Sequence, residues 1–254
     1  MDAWSRLADT FLNWGYIGEV LPTMFSYGLL NTIVLALASG TIGTVLGVLL
    51  AMMGISRTPV VRWIARIYTD IFRGVPAVLL ILVIGLGFGP LVKELTGTRS
   101  PYPLGIVALG LMAAAYIGEI FRSGIQSVDK GQLEASRALG FGYGPSMRMI
   151  VVPQGIRRVL PALMNQFIAL IKDSSLVFTL GLMSHERELF QIGQDFAANN
   201  GNQSPLVAAA LFYLVMTIPL THLVNYIDKR LSTGKALKPE PDEAAAPIGK
   251  GAHS

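Results

Sequence analysis

Long apolar runs constrain this chain more than any other feature. Five runs approach or exceed the roughly 20 residues that an α-helix needs to cross a bilayer. They lie at about 27–55, 75–90, 104–121, 156–182 and 205–227. Charged residues make up only 14% of the 254 residues, against roughly 25% in soluble domains. We therefore predict an all-α membrane protein with five transmembrane helices in one membrane domain, about residues 25–230.

The two ends of the chain differ from this domain. Residues 1–24 are polar with interspersed aromatic side chains, which suit a membrane interface. They lack the basic stretch followed by an apolar run that a cleavable signal peptide needs. We expect them to form an extracytoplasmic, interfacial segment. Residues 231–254 are charged and then rich in Pro, Ala and Gly, a composition that predicts a disordered cytoplasmic tail.

Basic residues predict the orientation of the spans. Fifteen of the 20 lysines and arginines fall on three segments of one side: an elbow at 56–73, a polar segment with its flanks at 122–158, and the chain from 228 onward. The positive-inside rule places these three segments in the cytoplasm and the N-terminus outside. The same rule accounts for the net charge of +4, so we expect no nucleic-acid partner.

Two local patterns refine the predicted spans. In the first span, small residues recur at Gly40, Gly43, Gly47 and Ala51. This spacing is typical of close helix packing, and the alternative is that the stripe lines a pathway. In the second span, Pro76 predicts either a kink or a helix start, because proline disrupts a helix interior.

The residue types that catalysis requires are not grouped along the chain. There is no cysteine, and the three histidines, His185, His222 and His253, have no metal-ligand spacing. No G-x-S-x-G or G-x-x-x-x-G-K-[ST] pattern is present, so any ATPase that drives this protein is another polypeptide. We expect no catalytic residue, metal or cofactor in this chain.

Ionisable residues inside the spans mark candidate functional positions. Lys172 and Asp173, followed by Ser174 and Ser175, interrupt the fourth span, and such residues usually face a bundle interior or water. They either brace the bundle near one membrane face or serve a substrate path or gate. In the third span, Glu119 lies three residues before Arg122. That pair can form on one helix face, with the same two alternatives.

The polar segment 134–153 is the most informative interval. Its first part predicts a short amphipathic helix with a small apolar surface and Gly140 as a C-cap. That surface comprises Leu133, Ser136, Ala138 and Leu139. A second short helix is expected between Pro145 and Pro153. Such a segment either lies on lipid or docks on a protein, and Glu134 argues against lipid alone because anionic headgroups prefer cations.

The same segment resembles the cytoplasmic loop of permeases of bacterial ABC importers. Their pattern is E-A-A, three residues, G, nine residues, I-x-L-P. Here it reads Glu134-Ala135-Ser136, three residues, Gly140, nine residues, Ile150-Val151-Val152-Pro153. The spacing is met at every step, and the two departures, Ser136 for Ala and Val152 for Leu, are mild.

Further motifs resemble the branch of these permeases that serves polar amino acids, over roughly residues 25–230. They are F-R-G-[TV]-P at Phe72–Pro76, A-Y-x-[AG]-E-I-[FV]-R at Ala115–Arg122, K-G-Q-x-E-A-[AS] at Lys130–Ser136, P-Q-[AG]-[IL]-R at Pro153–Arg157 and L-x-K-D-[ST]-S-L-[VA] at Leu170–Val177. Two departures from the branch concern polar residues. No Gln follows Pro76 within a few residues, and Met112-Ala113 stand where Asn-Ser is frequent. If these positions line the substrate path, that path is more apolar than in the branch, or it recognises its substrate through other residues.

The resemblance implies a half-pore with the fold of a type I ABC importer in a bacterial plasma membrane. It implies two ATP-binding cassette ATPases that hold ATP and magnesium, a second permease, identical or homologous, and an extracytoplasmic amino acid-binding protein. The implied ATPase-coupling residues are Glu134, Ala135, Ser136, Gly140, Ile150 and Pro153. The candidates for the substrate path or gate are Tyr116, Glu119, Lys172, Asp173, Ser174 and Ser175.

Two other functions were weighed against this one. A stand-alone carrier or channel would use Lys172 and Asp173 as an ion or proton site. An intramembrane enzyme would need a nucleophile and base or a metal-binding set, and the sequence shows neither.

Overall fold

The computed structural model describes residues 2–233, which form eleven α-helices joined by short connections. The helices are α1 (Ala3–Leu12), α2 (Trp14–Thr23), α3 (Leu29–Gly54), α4 (Pro59–Gly74), α5 (Ala77–Thr96), α6 (Tyr102–Gln126), α7 (Lys130–Ala138), α8 (Tyr143–Ser146), α9 (Val152–Asp173), α10 (Leu189–Asn200) and α11 (Ser204–Thr233). Two π-helical turns, Met24–Gly28 and Met147–Val151, and two 3₁₀ segments, Ser174–Leu180 and Ser184–Glu186, complete the helical path. The predicted all-α class is confirmed.

Within residues 2–233, four helical stretches are long and apolar enough to cross a membrane. They are Ala3–Gly54, Ala77–Thr96, Tyr102–Gln126 and Ser204–Leu231. The predicted span at 156–182 corresponds to α9 and the 3₁₀ segment after it, and it is not among the four. Arg157, Arg158, Asn165 and Gln166 lower the mean hydropathy of α9. The total of five spans therefore stays a prediction.

Helix α6 is the centre of the bundle and packs against α3, α4, α5 and α9. Its contact with α3 is close because glycines remove the side chains between the two backbones. A Cβ atom added at Gly43 would lie 2.6 Å from the Cβ of Ala113, and one added at Gly47 would lie 2.9 Å from Ile117 Cγ2. The small-residue stripe of the first span is thus a packing surface, as predicted.

The segment 174–180 fits into the bundle in the same way. A Cβ atom at Gly105 of α6 would meet Val177, and one at Gly85 of α5 would meet Leu180. Val177 and Leu180 are buried together with Leu109. The chain after α9 is therefore held between α5 and α6 by side chains that fill the space two glycines leave.

Helix α4 is the predicted elbow, and it lies against α6. Pro59 occupies the first turn, where its missing N–H costs little. The Tyr68 hydroxyl donates a hydrogen bond of 2.8 Å to the Leu111 carbonyl of α6. After Gly74 the helix ends, and α5 begins directly behind Pro76. Of the two alternatives for Pro76, the helix start is confirmed.

Helix α1 is tied to the beginning of α11. The Asn202 side chain donates to the Asp9 carbonyl at 2.8 Å, and Gln203 N donates to the Thr10 carbonyl at 2.9 Å. From Trp14 onward the chain is helical without interruption to Gly54, so the predicted boundary at residue 24 falls inside a helical path. The exposed ring of Trp4 suits the interfacial role that we predict.

The C-terminal helix is longer than predicted. Helix α11 continues to Thr233, so residues 231–233 are helical and not part of a disordered tail. The remainder of the predicted tail, 234–254, lies outside the described residues.

The segment 183–204, between the predicted fourth and fifth spans, contains the helix α10. The Glu188 carboxylate caps α10 by accepting hydrogen bonds from Phe190 N at 2.6 Å and Gln191 N at 2.7 Å. The apolar residues Leu189 and Ile192 are buried with Val20 of α2. A short helix with a polar face and only a few buried side chains gives a weak periodic signal, so the sequence alone does not indicate it.

Candidate functional site

Helix α7 and its end match the predicted amphipathic helix and glycine cap. The Asp129 side chain accepts from Gly131 N at 2.6 Å at the start. At the end, Gly140 N donates to Arg137 O at 3.0 Å and Phe141 N donates to Ser136 O at 3.2 Å. Gly140 has φ +88°. These two bonds and the left-handed residue form a Schellman motif, which turns the chain sharply after α7.

The second half of the segment is continuous with the next long helix. Helix α8, the π-turn Met147–Val151 and α9 follow one another without a break. The predicted second short helix is therefore not bracketed by the prolines, since Pro145 lies inside α8 and Pro153 lies in the first turn of α9. Pro153 follows the π-turn closely, where the regular α-helical hydrogen-bond pattern is already interrupted.

Exposure separates two groups among the predicted coupling residues. Glu134, Ala135, Gly140 and Pro153 are exposed. Ile150 is half-buried, and Ser136 is only 2% exposed.

The burial of Ser136 corrects one prediction. Its hydroxyl donates to the Leu133 carbonyl at 2.8 Å. Ser136 therefore faces the protein and supports α7 rather than contributing to the predicted apolar surface.

Four exposed apolar side chains surround the turn between α7 and α9. Leu139 is 79% exposed and Met149 is 65% exposed, and Phe141 and Tyr143 are also exposed. We call these four residues the docking surface. A patch of adjacent large apolar groups on a polar segment is a candidate for contact with a protein partner or with lipid.

The docking segment is joined to the membrane helices at several points. The Arg158 guanidinium of α9 donates to the Ser127 carbonyl at the end of α6. A Cβ atom at Gly155 would lie 2.9 Å from Ile125 Cα, so α9 and α6 approach closely here. Arg57, between α3 and α4, lies 4.4 Å from the centre of the Tyr143 ring. The segment therefore contacts α6, α9 and the connection between α3 and α4.

The predicted Glu119–Arg122 pair is present. Arg122 Nε donates to Glu119 Oε2 at 2.9 Å and its Nη2 donates to the other carboxylate oxygen, so the pair is bidentate. Arg122 Nη1 also donates to Gln126 Oε1 at 2.6 Å. All three guanidinium nitrogens of Arg122 are thus engaged.

This pair borders a cleft between α4 and α6 of about 240 Å³. The charged side chains on the α4 wall are Arg62, Arg66, Asp70 and Arg73. Arg73, from the F-R-G motif, lies 5.3 Å from the ring centre of Tyr116. We call this site the arginine cleft.

The remaining path candidates lie at the junction between α9 and the 3₁₀ segment. Lys172 and Ser175 line a shallow groove with Tyr213 of α11. Ser174 is buried, and its hydroxyl donates to Ile171 O at 2.7 Å. Asp173, the last residue of α9, is half-buried. A change from α- to 3₁₀-helix often marks a hinge.

The structure does not bring the six path candidates together. Tyr116 and Glu119 belong to the arginine cleft, whereas Lys172 and Ser175 face α10 and α11. Among residues 2–233, no three or more His, Cys, Asp or Glu side chains form a group that could hold a metal ion.

Two features were missed by sequence reasoning. The first is the acidic and basic lining of the arginine cleft, although Arg62, Arg66 and Asp70 recur every four residues. In the sequence, Arg62 and Arg66 indicate only the orientation of the spans.

The second is Glu188, which is fully buried. Besides capping α10, it accepts a hydrogen bond from the Tyr213 hydroxyl at 2.9 Å. Burial raises the pKa of Glu188 from 4.5 to about 7, against the opposing effect of these hydrogen bonds. The only sequence signal was a Glu directly before a short apolar helix.

Over residues 2–233 the fold is a helical bundle with several membrane-length apolar helices and an exposed apolar patch on a polar segment, which defines a multi-pass membrane protein. The chain belongs to the family described as binding-protein-dependent transport system inner membrane component, which matches residues 43–233.

Relatives and solved structures agree with this assignment. The chain is 36% identical to the arginine transport system permease protein ArtQ of Bacillus subtilis, over 81% of this chain and 91% of the relative. It is 33% identical to the glutamate/aspartate import permease protein GltK of Escherichia coli, over 86% and 97%. A crystal structure of an amino acid ABC transporter with histidines matches with TM-score 0.72 and 30% identity, over 84% and 95%.

A more distant structure shares the fold. The MetNI methionine ABC transporter, in an inward-facing conformation, matches with TM-score 0.67 and 21% identity, over 80% of this chain and 94% of that chain. Together these findings confirm the resemblance that the motifs predicted, including the ABC-importer-like membrane fold. They favour it over a stand-alone carrier.

Proposed function

We propose that this chain is the permease subunit of an ATP-driven importer that moves polar amino acids into the cytoplasm. Its family membership carries the proposal, and the names of the relatives support the substrate class. The docking surface gives the chain a place for a partner that hydrolyses ATP. The chain itself acts as the transport subunit and not as the ATPase.

The proposed complex has the composition that the motifs implied. Two ATP-binding cassette ATPases bind ATP and magnesium, a second permease completes the pore, and an extracytoplasmic binding protein delivers the amino acid. The exposed residues Leu139, Phe141 and Met149 support ATPase docking, because a buried apolar anchor surrounded by polar residues is typical of protein interfaces.

The proposed orientation follows the distribution of basic residues. The docking segment and the C-terminus face the cytoplasm of a bacterium, and the N-terminus lies outside the plasma membrane. In this orientation α10 and the Glu188 network lie on the outer side, where a binding protein approaches.

Coupling uses the connections between the docking segment and the bundle. When ATP draws the two ATPases together, each pulls its docking segment, and α9 and α6 move with it. The bundle then changes between two packings that ATP binding and hydrolysis favour differently.

The substitution Leu139→Asp tests the docking assignment. We expect normal amounts of permease in the membrane, because Leu139 contacts little of this chain, but at least a tenfold loss of co-purified ATPase, since interface anchors typically contribute 2 kcal/mol or more. Leu139→Met is the matched control and should retain the ATPase. Wild-type recovery of ATPase with the Asp variant would contradict the assignment.

Reconstitution separates this function from that of a stand-alone carrier. Purified permease in liposomes should transport no amino acid until ATPase, binding protein and ATP are supplied. Flux of an amino acid through the permease alone would overturn the proposal.

A further inference from the structure

We infer that the arginine cleft is a binding subsite for an acidic amino acid, which makes aspartate or glutamate the substrate class of this permease. The inference rests on the proposed function and extends it. It is carried by the charges that face the cleft and by the partners those charges have.

On the wall formed by α3 and α6, the charged side chains are paired with each other. Leu50 and Gly54 of α3 bring no charge. On α6, Glu119 is taken up by the bidentate pair with Arg122, and Gln126 binds the remaining Arg122 nitrogen. This wall therefore offers little charge to a ligand.

Three charged side chains on the wall formed by α4 have no such close pairing. Arg62, Arg66 and Asp70 are spaced by four residues and so share one helix face. All three side chains are exposed, and within the described chain, 2–233, none of them forms a hydrogen bond or a close ion pair, although Arg66 and Arg73 attract Glu119 across the cleft. Arg73, the next cation on this face, lies over the Tyr116 ring.

The unpaired groups complement one ligand class. Two cations and one anion lie in sequence along α4, whereas a dicarboxylic amino acid carries two carboxylates and one ammonium group. Arginine forms charge-assisted, often bidentate, hydrogen bonds with carboxylates. A cationic amino acid carries two positive groups and one carboxylate, so it would meet repulsion from this wall.

The size of the cleft fits a small ligand. Its volume of about 240 Å³ lies below the roughly 300–1,000 Å³ of sites for drug-sized molecules. Gly54 and Gly118 line the cleft together with the charged side chains. A single amino acid is therefore a suitable occupant, and the α4 arginines would hold its carboxylates across the cleft from Glu119, one of the predicted path residues.

Titration calorimetry on the permease co-purified with its ATPase in phosphatidylcholine nanodiscs tests the inference. L-glutamate and L-aspartate should bind more tightly than L-glutamine, and L-arginine should not bind. Arg66→Gln should weaken L-glutamate binding about tenfold or more, as expected for a lost hydrogen bond to a charged group. Arg99→Gln removes the same charge from an exposed position on another connection and should leave binding unchanged.

Three outcomes would overturn the inference: no binding of either acidic amino acid, equal binding of L-arginine, or equal loss with Arg99→Gln. A second preparation with phosphatidylglycerol tests a lipid source of the anion. Stabilisation by this lipid that Arg66→Gln abolishes, without L-glutamate binding, would assign the cleft to a headgroup and overturn the substrate assignment. The proposed permease function is judged separately, by ATPase co-purification and ATP-dependent transport of any amino acid.

Discussion

A single backbone conformation shapes the docking segment. Gly140 has φ +88° and is exposed, and an added Cβ atom would meet nothing within 4 Å. The glycine is therefore required for its backbone and not for space. It aims the chain so that Leu139 and Phe141 project beside the end of α7.

Substitutions at Gly140 separate the need for a left-handed backbone from the need for space at this position. Gly140→Val should impair ATPase stimulation strongly, because a left-handed conformation costs an ordinary residue roughly 1–2 kcal/mol and the segment relaxes to another turn. Gly140→Asn should retain most of the coupling, since Asn tolerates this conformation. The measurement is ATP hydrolysis by the assembled complex with substrate-loaded binding protein. Equal impairment by both variants would indicate that bulk, and not φ, matters at this site.

At the scale of the helices, close packing of α3 on α6 organises the bundle. The two helices approach along Gly43 and Gly47 of α3, which face Ala113 and Ile117 of α6. In a membrane, where lipid competes equally well for apolar side chains, such backbone proximity is a main source of association.

A larger side chain on this stripe should disrupt the bundle. Gly43→Leu places a Cβ atom 2.6 Å from that of Ala113, and overpacking typically costs about 1–3 kcal/mol. We expect a several-fold lower yield of folded permease by size-exclusion chromatography. Gly87→Leu, on α5 where an added Cβ atom has open space, serves as control and should not lower the yield. A normal yield of the Gly43 variant would show that the α3–α6 contact can adjust.

Sequence reasoning predicted these elements unevenly, for physical reasons. The small-residue stripe and the Gly140 cap were predictable because spacing and residue type determine local packing and turns. The spans were predictable where apolar residues are continuous, but α9 carries arginines and amides that a helix can keep when it packs inside a bundle. The arginine cleft needed the structure, because α4 and α6 are separated by α5 in the chain and only packing brings Arg66 beside Glu119.

At the scale of the whole molecule, the Glu188 network joins three parts of the fold. Its carboxylate caps α10 and accepts from Tyr213 of α11, while the Thr32 hydroxyl of α3 accepts from Leu189 N at 3.2 Å. Asp195 adds a nearby negative charge that raises the Glu188 pKa further. The network holds the beginning of α10 against α3 and α11.

This network predicts a pH dependence of stability. Because the Glu188 pKa is raised to about 7, the folded protein binds a proton that the unfolded chain has lost between pH 4.5 and 7. Stability should therefore fall as the pH rises through this window. Glu188→Gln keeps a hydrogen-bonding cap and removes the titration, so its unfolding temperature should depend less on pH.

Unfolding temperatures of the purified permease between pH 5 and 7.5 check this prediction. The exposed Glu94 offers a matched control, Glu94→Gln, which should follow the wild type. If Glu188→Gln and the wild type show the same slope, Glu188 is not the titrating group.

The helical path from Tyr143 to Asp173 is uninterrupted and long, so a small tilt gives a large displacement of one end relative to the other. At 1.5 Å per residue it measures about 45 Å, so each degree of tilt moves one end by roughly 0.8 Å relative to the other. The docking surface lies at one end and the Lys172–Ser175 junction at the other. A rotation of a few degrees about the end that carries the docking surface is sufficient to shift the distant junction by the width of an atom.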